Sequence, residues 1–259
     1  MALFARWTAA LLLALLPLNV LAAEPVRVAA AADLRPALTQ IAADFRRATG
    51  SNVQITFGSS GMLAQQIARG APFDLFLSAD ESYVQQLARD GRTVDGGALY
   101  AIGRLALVAP KGSPLRLDGR LHGLRAALAQ GRITRFAIAN PDHAPYGARA
   151  REALQRAGLW SAIQPRLVLG DNVAQALQFA TAGAQGGIVS SSLVRDPAVA
   201  ARVNHVLIPA SWHRPLRQRM VLVRGATADA RAFYAFLRQP AARRTLVRFG
   251  FTLPDSGAR

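Results

Sequence analysis

Residues 26–61 read VRVAAAADLRPALTQIAADFRRATGSNVQITFGSSG. Residues 26–30 form a short apolar run of strand type, and Asp33-Leu34-Arg35-Pro36 opens a helical pattern that closes at Thr49-Gly50. Residues 53–57 repeat the strand signal, and Gly58-Ser59-Ser60-Gly61 turns the chain into a helix through Ala68. Strand and helix patterns alternating in this way predict a largely parallel sheet covered by helices, an α/β fold. Outward from this stretch, residues 73–77 are a third strand, and Asp80 caps a helix ending near Gly91. Residues 100–110 are one long apolar run, of the kind that crosses between lobes, ending in the loop Lys111-Gly112-Ser113-Pro114. The alternation then restarts with strands at 135–139, 166–169, 187–189 and 203–209. Between them, turns at Pro145-Tyr146-Gly147, Asp171-Asn172 and Ser190-Ser191-Ser192 lead into helices, the first reaching Gly158 and the second Ala182. A further strand at 219–223 precedes a strongly helical tail over 229–249. The expected architecture is two α/β lobes with hinge strands and a ligand cleft between them. Lobe 1 is discontinuous, residues 23–103 and 212–259, and lobe 2, residues 104–211, is inserted into it.

The 259 residues are 51% hydrophobic and include no cysteine, which excludes disulfides, thiolate metal sites, a cysteine nucleophile and a lipidated N-terminal cysteine. Lys+Arg outnumber Asp+Glu by 31 to 15, a formal charge of +16, and Lys111 is the one lysine. A GC-rich genome writing arginine for lysine accounts for that bias as well as an anionic partner does. Arg6, the apolar run 11–16, Pro17 and Val20-Leu21-Ala22 have the order of an export signal, so residues 1–22 are expected to be cleaved near Ala22. The run is too short to span a bilayer comfortably. A soluble, exported, periplasmic protein is the expectation.

The recurring chemical feature is a strand ending in a small polar turn that starts a helix: Ala32-Asp33, Ser59-Ser60-Gly61, Pro145-Tyr146-Gly147, Asp171-Asn172-Val173 and Ser190-Ser191. In open parallel sheets such turns lie where ligands bind. Each helix start offers backbone N–H groups without acceptors and a partial positive charge. Several such turns facing across a cleft enclose a small oxyanion with neutral donors, although each one singly is only a helix cap. Gly58-Ser59-Ser60-Gly61 is not a nucleophile elbow, since Met62 stands where G-x-S-x-G needs glycine. His122, His143, His205 and His213 show no metal-ligand spacing. His143 alone lies near the expected cleft, and it reads as an exposed loop residue. No phosphate-binding loop or dinucleotide fingerprint is present. The arginines, Arg149, Arg151 and Arg156 among them, read as a solvated helix face, which gives no nucleic-acid stripe. Trp160 and Trp212 read as core or hinge packing.

Seven stretches carry a resemblance to the periplasmic molybdate-binding proteins of ABC transporters, within the type II periplasmic binding proteins. They are VAAAADLRPAL (28–38), FGSSGMLAQQI (57–67), GAPFDLFLSAD (70–80), ANPDHAPYG (139–147), GDNVAQAL (170–177), GIV (187–189) and RFGFTL (248–253). The resemblance covers essentially the whole chain after the signal. It implies two α/β lobes that close over the ligand on a two-strand hinge. It also implies that Ser60, with the backbone of Tyr146 and Val173, binds the oxyanion. The family's serine after the first strand falls on Asp33 here, preceded by Ala32. A carboxylate would repel a dianion, so Asp33 is expected to cap its own helix and offer backbone N–H only. Ser190 stands where some members carry a ligand-binding tyrosine, and Tyr146 matches the subgroup with tyrosine in the A-P-Y-G turn.

The expected ligand set is therefore Ala32, Asp33, Ser60, Tyr146 and Val173, with Ser59, Asn172 and Ser190 as further candidates. The ligand is molybdate or tungstate, its metal reaching the protein only inside the oxyanion, with no cofactor and no catalysis. The partner is an inner-membrane ABC permease, and the protein is expected to be a monomer that binds no nucleic acid. Two rivals stand beside this: a related binding protein for sulfate or a small organic acid, and a secreted serine hydrolase using Ser60 or Ser190. The second needs a histidine within hydrogen-bond reach of its serine.

Overall fold

The computed structural model describes residues 24–254, so the expected export signal lies outside the described residues. The chain opens with β1 (Val26–Ala31), a single 3-10 turn (Ala32–Leu34), α1 (Arg35–Thr49), β2 (Val53–Gly58) and α2 (Ser60–Ala68). Next come β3 (Leu75–Ser78), α3 (Glu81–Arg89) and β4 (Ala98–Gly103). The second set is β5 (Leu105–Pro110), α4 (His122–Ala129), β6 (Phe136–Ala139), α5 (Pro145–Arg156) and α6 (Trp160–Ile163). It continues with β7 (Leu167–Gly170), α7 (Val173–Thr181), β8 (Gly186–Ser190), α8 (Ser191–Val194), α9 (Pro197–Ala200) and β9 (Val203–Leu207). The chain finishes with β10 (Leu216–Leu222), α10 (Ala228–Leu237) and α11 (Pro240–Arg248).

Two five-stranded sheets result, ordered β2-β1-β3-β10-β4 and β7-β6-β8-β5-β9. In the first, β1 runs parallel to β2 and β3, and β10 pairs antiparallel with β3 and β4. In the second, β6 runs parallel to β7 and β8, and β5 pairs antiparallel with β8 and β9. The period-two alternation of strands explains the packing of the first sheet. Val28, Ala30, Leu75 and Leu77 face Leu38, Ile41, Phe45, Phe233 and Leu246 of α1, α10 and α11. Ala29 and Phe76, on the opposite face, meet Leu63, Ile67, Val84 and Leu87 of α2 and α3. Strands buried on both faces read as near-continuous apolar runs, which is why β1 and β3 were legible.

Three sequence expectations change. Residues 100–110 are not one strand: β4 ends at Gly103 in the first sheet, and β5 starts at Leu105 in the second. Arg104 alone joins them, so the crossing is abrupt. The tail is two helices rather than one, because Pro240 opens α11 at a position where its missing N–H costs nothing. Residues 115–134, unassigned from sequence, contain α4, which buries Leu124, Ala127 and Leu128. Among the described residues, no helix is long and apolar enough to cross a membrane.

Candidate functional site

The carboxyl ends of β1, β2 and β3 in one lobe and the starts of α5 and α7 in the other meet around a small cavity. Its wall is Ala31, Ala32, Asp33, Gly58, Ser59, Ser60, Ala79, Ala144, Pro145, Tyr146 and Val173. The space open to the centre of a water-sized sphere is about 10 Å³, room for about one such sphere. All five principal candidates from the sequence, with Ser59, are thus brought together. No lysine or arginine reaches the wall. What it offers instead is helix starts. Ser60 and Val173 are the first residues of α2 and α7, and Tyr146 is the second residue of α5. A helix supplies no acceptor for the N–H groups of its first turn.

Two further candidates sit elsewhere. Asn172 spends its Oδ1 on the N–H groups of Ala174 and Gln175, at 3.0 and 3.1 Å, capping α7 beside the cavity without lining it. Ser190 is buried at the end of β8, where its Oγ lies 3.1 Å from Ser192 Oγ. It is not among the lining residues. Strand β8 is the central strand of its sheet, two places in from the edge strand β7, and its turn packs behind the Asp33 backbone rather than onto the cavity. Ser192 Oγ donates to the Asp33 carbonyl at 2.8 Å.

Asp33 does not cap a helix, contrary to expectation. It lies inside the Ala32–Leu34 turn, whose N-cap position is held by Ala31. Its Oδ2 instead accepts from Tyr146 Oη at 2.9 Å and from Gln218 Nε2 at 2.5 Å. Gln218 in turn accepts from Tyr100 Oη at 2.8 Å. The carboxyl is wholly buried, and burial pushes its pKa up to about 6, against the lowering effect of the Gln218 and Tyr146 hydrogen bonds. Burial, with Asp33 close by, holds the Tyr146 phenol well above its ordinary range, so it stays protonated and is the donor in this pair. The Tyr146 hydroxyl is therefore committed to Asp33 and not to the cavity. Gln218 gave no sequence signal at all. It reaches this cluster where the pairing of β10 with β4 shifts register between Gln218 and Arg219, a bulge of the kind that re-aims side chains. Gly103 matters here too, because a side chain on it would collide with the Tyr146 hydroxyl.

Ser60 Oγ accepts from the Ala79 N–H at 2.9 Å, which leaves its own hydroxyl proton uncommitted. Ser59 Oγ lies 3.0 Å from His143 Nδ1, so His143 is half-buried and paired rather than a free loop residue. Beside it, the Gly61 N–H donates to the His143 carbonyl at 3.0 Å, joining the two lobes directly. A Cβ on Gly61 would come within 2.6 Å of that carbonyl. Arg149, expected on a solvated face, is 5% exposed and clamps the lobes. It donates to Asp80 at 2.6 Å and to Glu152 at 2.7 Å. Burial alone would raise the Glu152 carboxyl, but the N–H groups of Arg214, together with Arg149, outweigh it and hold its pKa below the ordinary value. Trp160 and Trp212 pack, half-buried, against the second lobe's core. His122 stands near Asp118 on the surface, and His213 is buried with Nδ1 on the Arg214 carbonyl at 2.8 Å. Among the described residues, no group of three or more His, Cys, Asp or Glu could hold a metal ion.

Comparison with known proteins is consistent with this geometry. The sequence pattern described as "Bacterial extracellular solute-binding protein" matches residues 26–252. The molybdate-binding protein ModA of Rhodobacter capsulatus is 34% identical over 234 residues, 89% of each chain. That of Escherichia coli K12 is 35% identical over 245 residues, covering 91% of this chain and 92% of its own. The structure of the Azotobacter vinelandii periplasmic molybdate-binding protein superimposes with a TM-score of 0.81 at 31% identity. It covers 88% of this chain and 99% of that one.

Proposed function

Because this chain belongs to the bacterial extracellular solute-binding proteins, we propose that it captures a tetrahedral oxyanion, molybdate or tungstate, in the periplasm and delivers it to an inner-membrane ABC permease. The observation that carries the reading is a cavity walled by helix starts from both lobes and by serines, with no cationic side chain. Such a wall meets a dianion with N–H and O–H groups and with the positive ends of α2, α5 and α7. The ligand set is Ala32, Asp33, Ser60, Tyr146 and Val173, with Ser59 beside them. Metal enters only inside the oxyanion, and no cofactor is needed. The lobes divide at Arg104 and again near Trp212. Residues 1–22 direct export and are cleaved off near Ala22, and the working unit is a monomer.

No reaction is assigned. Ser60 and Ser190 have no histidine partner among the described hydrogen bonds. Ser59 has one, His143, but among the described residues no carboxylate pairs with that imidazole to complete a triad. The test of the binding reading is a thermal-shift screen of the mature protein against molybdate, tungstate, sulfate, phosphate and chromate. Molybdate and tungstate should raise the unfolding temperature strongly by mass action, and sulfate little. Equal stabilisation by sulfate, or none by molybdate, overturns the assignment.

A further inference from the structure

Asp33 poses a contradiction inside the oxyanion reading. A wall built to receive a dianion contains a carboxyl group that is 0% exposed. Its Oδ2 already accepts two hydrogen bonds, while Oδ1 is buried without a well-formed hydrogen bond, the backbone N–H groups of Asp33 and Leu34 favouring the charged form less than burial opposes it. A bare carboxylate oxygen there would lack the donors that buried charge requires, and it would repel the ligand.

The surroundings supply no compensating cation. Of the elements packed against the Ala32–Leu34 turn, α7 and α8 contain no charged residue. On α1, the Arg35 guanidinium lies over the Phe57 ring, 4.5 Å from its centre. The titratable groups facing Asp33 are Tyr146 of α5 and Tyr100 of β4, both held well above their ordinary range by burial and both neutral donors. Gln218 of β10 and Ser190 and Ser192 beside β8 carry no charge.

Resting on the oxyanion reading, we infer that Asp33 is a specificity-determining acid: it takes up one proton on Oδ1 as the lobes close, keeps it, and through it donates a hydrogen bond to an oxygen of the bound anion. Asp33 thereby does what a neutral serine would do, and the wall becomes donor-only when, and only when, the proton is present. An open cleft would return Asp33 to water and toward the ordinary aspartate pKa, about 3.9, with Gln218 of the same lobe still donating to it. Closure raises it by burial, and a dianion in contact raises it further by like-charge repulsion. The closed complex thus holds one more proton than the open protein. Affinity for the dianion then falls as pH rises, by about tenfold per pH unit above about pH 5, until the carboxyl in the complex itself ionises. A fixed carboxylate would have the opposite preference, accepting from a protonated anion such as hydrogen phosphate.

The test is titration calorimetry of the whole mature protein with sodium molybdate at several pH values, in two buffers of different ionisation enthalpy. The parent should take up close to one proton per molybdate bound near pH 6. Asp33→Asn, which keeps shape and a donor, should bind with no proton uptake and a flat pH profile over the same range. Asp33→Ser serves as a second neutral variant should the first fold poorly. Tight molybdate binding by the parent without proton uptake overturns this inference and leaves the binding reading standing. Uptake that persists in Asp33→Asn or Asp33→Ser also overturns it, because the proton then rides on the anion. No molybdate binding by the parent at any pH overturns the binding reading and this inference together.

Discussion

Ser60 illustrates how a single side chain joins fold to function. Its oxygen accepts the N–H of Ala79, the residue after β3, and so ties the start of α2 to the next strand end. Because the oxygen is the acceptor there, the hydroxyl proton remains for the cavity. Ser60→Ala removes both interactions. A hydrogen bond to a charged group is worth about 1.5–3 kcal/mol, so molybdate affinity should fall on the order of tenfold to a hundredfold. The Ala79 N–H is left buried without a partner, and the melting temperature of the ligand-free protein should fall as well. Calorimetry and thermal denaturation together read the two effects, and an unchanged dissociation constant removes Ser60 from the site. Tyr146 carries the opposite lesson. Its ring is among the largest fully buried side chains, and its hydroxyl holds Asp33 across the lobe boundary, which leaves its backbone N–H as the group it presents at the cavity.

Helix α5 is the element on which the lobes meet. Pro145 at its first position has no N–H to lose and fixes the entry of the chain, so the N–H of Tyr146 leads the helix. One turn later Arg149 reaches back across the boundary to Asp80, the N-cap of α3, while also holding Glu152. Asp80 is thus shared: its other oxygen accepts from the N–H of Ser82 at 3.0 Å. The pair is largely shielded from water, so salt screens it weakly. Arg149→Ala should leave each lobe folded and speed molybdate release, because a contact made between closed lobes mainly slows dissociation. The expected increase is about tenfold or more, from the same range of hydrogen-bond energies to charged groups. Stopped-flow release into excess chelating protein or competing tungstate measures it. A release rate equal to the parent's makes the Arg149–Asp80 pair irrelevant to closure.

At the scale of the whole molecule, charge and cavity are separated. The chain carries a formal +16, yet none of its cations lines the cavity. Long-range attraction therefore acts on the approach of a dianion and not on its final contacts. Raising ionic strength should slow molybdate association markedly, since interactions beyond a Debye length of about 8–10 Å are screened near physiological salt. Release, governed by buried donors, should change little. Trp160 and Trp212, packed on the second lobe, are natural fluorescence reporters for both rates. A salt-dependent release rate with a salt-independent association rate contradicts this division.

Short-range patterns were enough for the sequence to determine the layered architecture. Apolar runs of four to six residues, each followed by a small polar turn and a helical stripe, specify strands, turns and helices locally, and the turns mark the ligand end of each sheet. That is why the described strands fall close to their expected places, while it is the resemblance to the molybdate-binding proteins that narrows the turns to Ala32, Asp33, Ser60, Tyr146 and Val173. Partners remote in the chain were beyond that reach. Asp33 and Tyr146 are 113 positions apart, and Asp33 and Gln218 are 185 apart. Nothing local in Gln218 distinguishes it from any polar residue on a strand. Only the β10 bulge and the packing of the first sheet, which holds both β1 and β10, bring it to a buried carboxyl. The same holds for Arg149, whose helical spacing reads as solvent-facing until the first lobe covers it, and for Ser190, whose turn points behind Asp33. Periodicity reports which face of an element is apolar. Which buried polar groups meet is decided by packing between elements, where each donor and acceptor taken from water must find a partner.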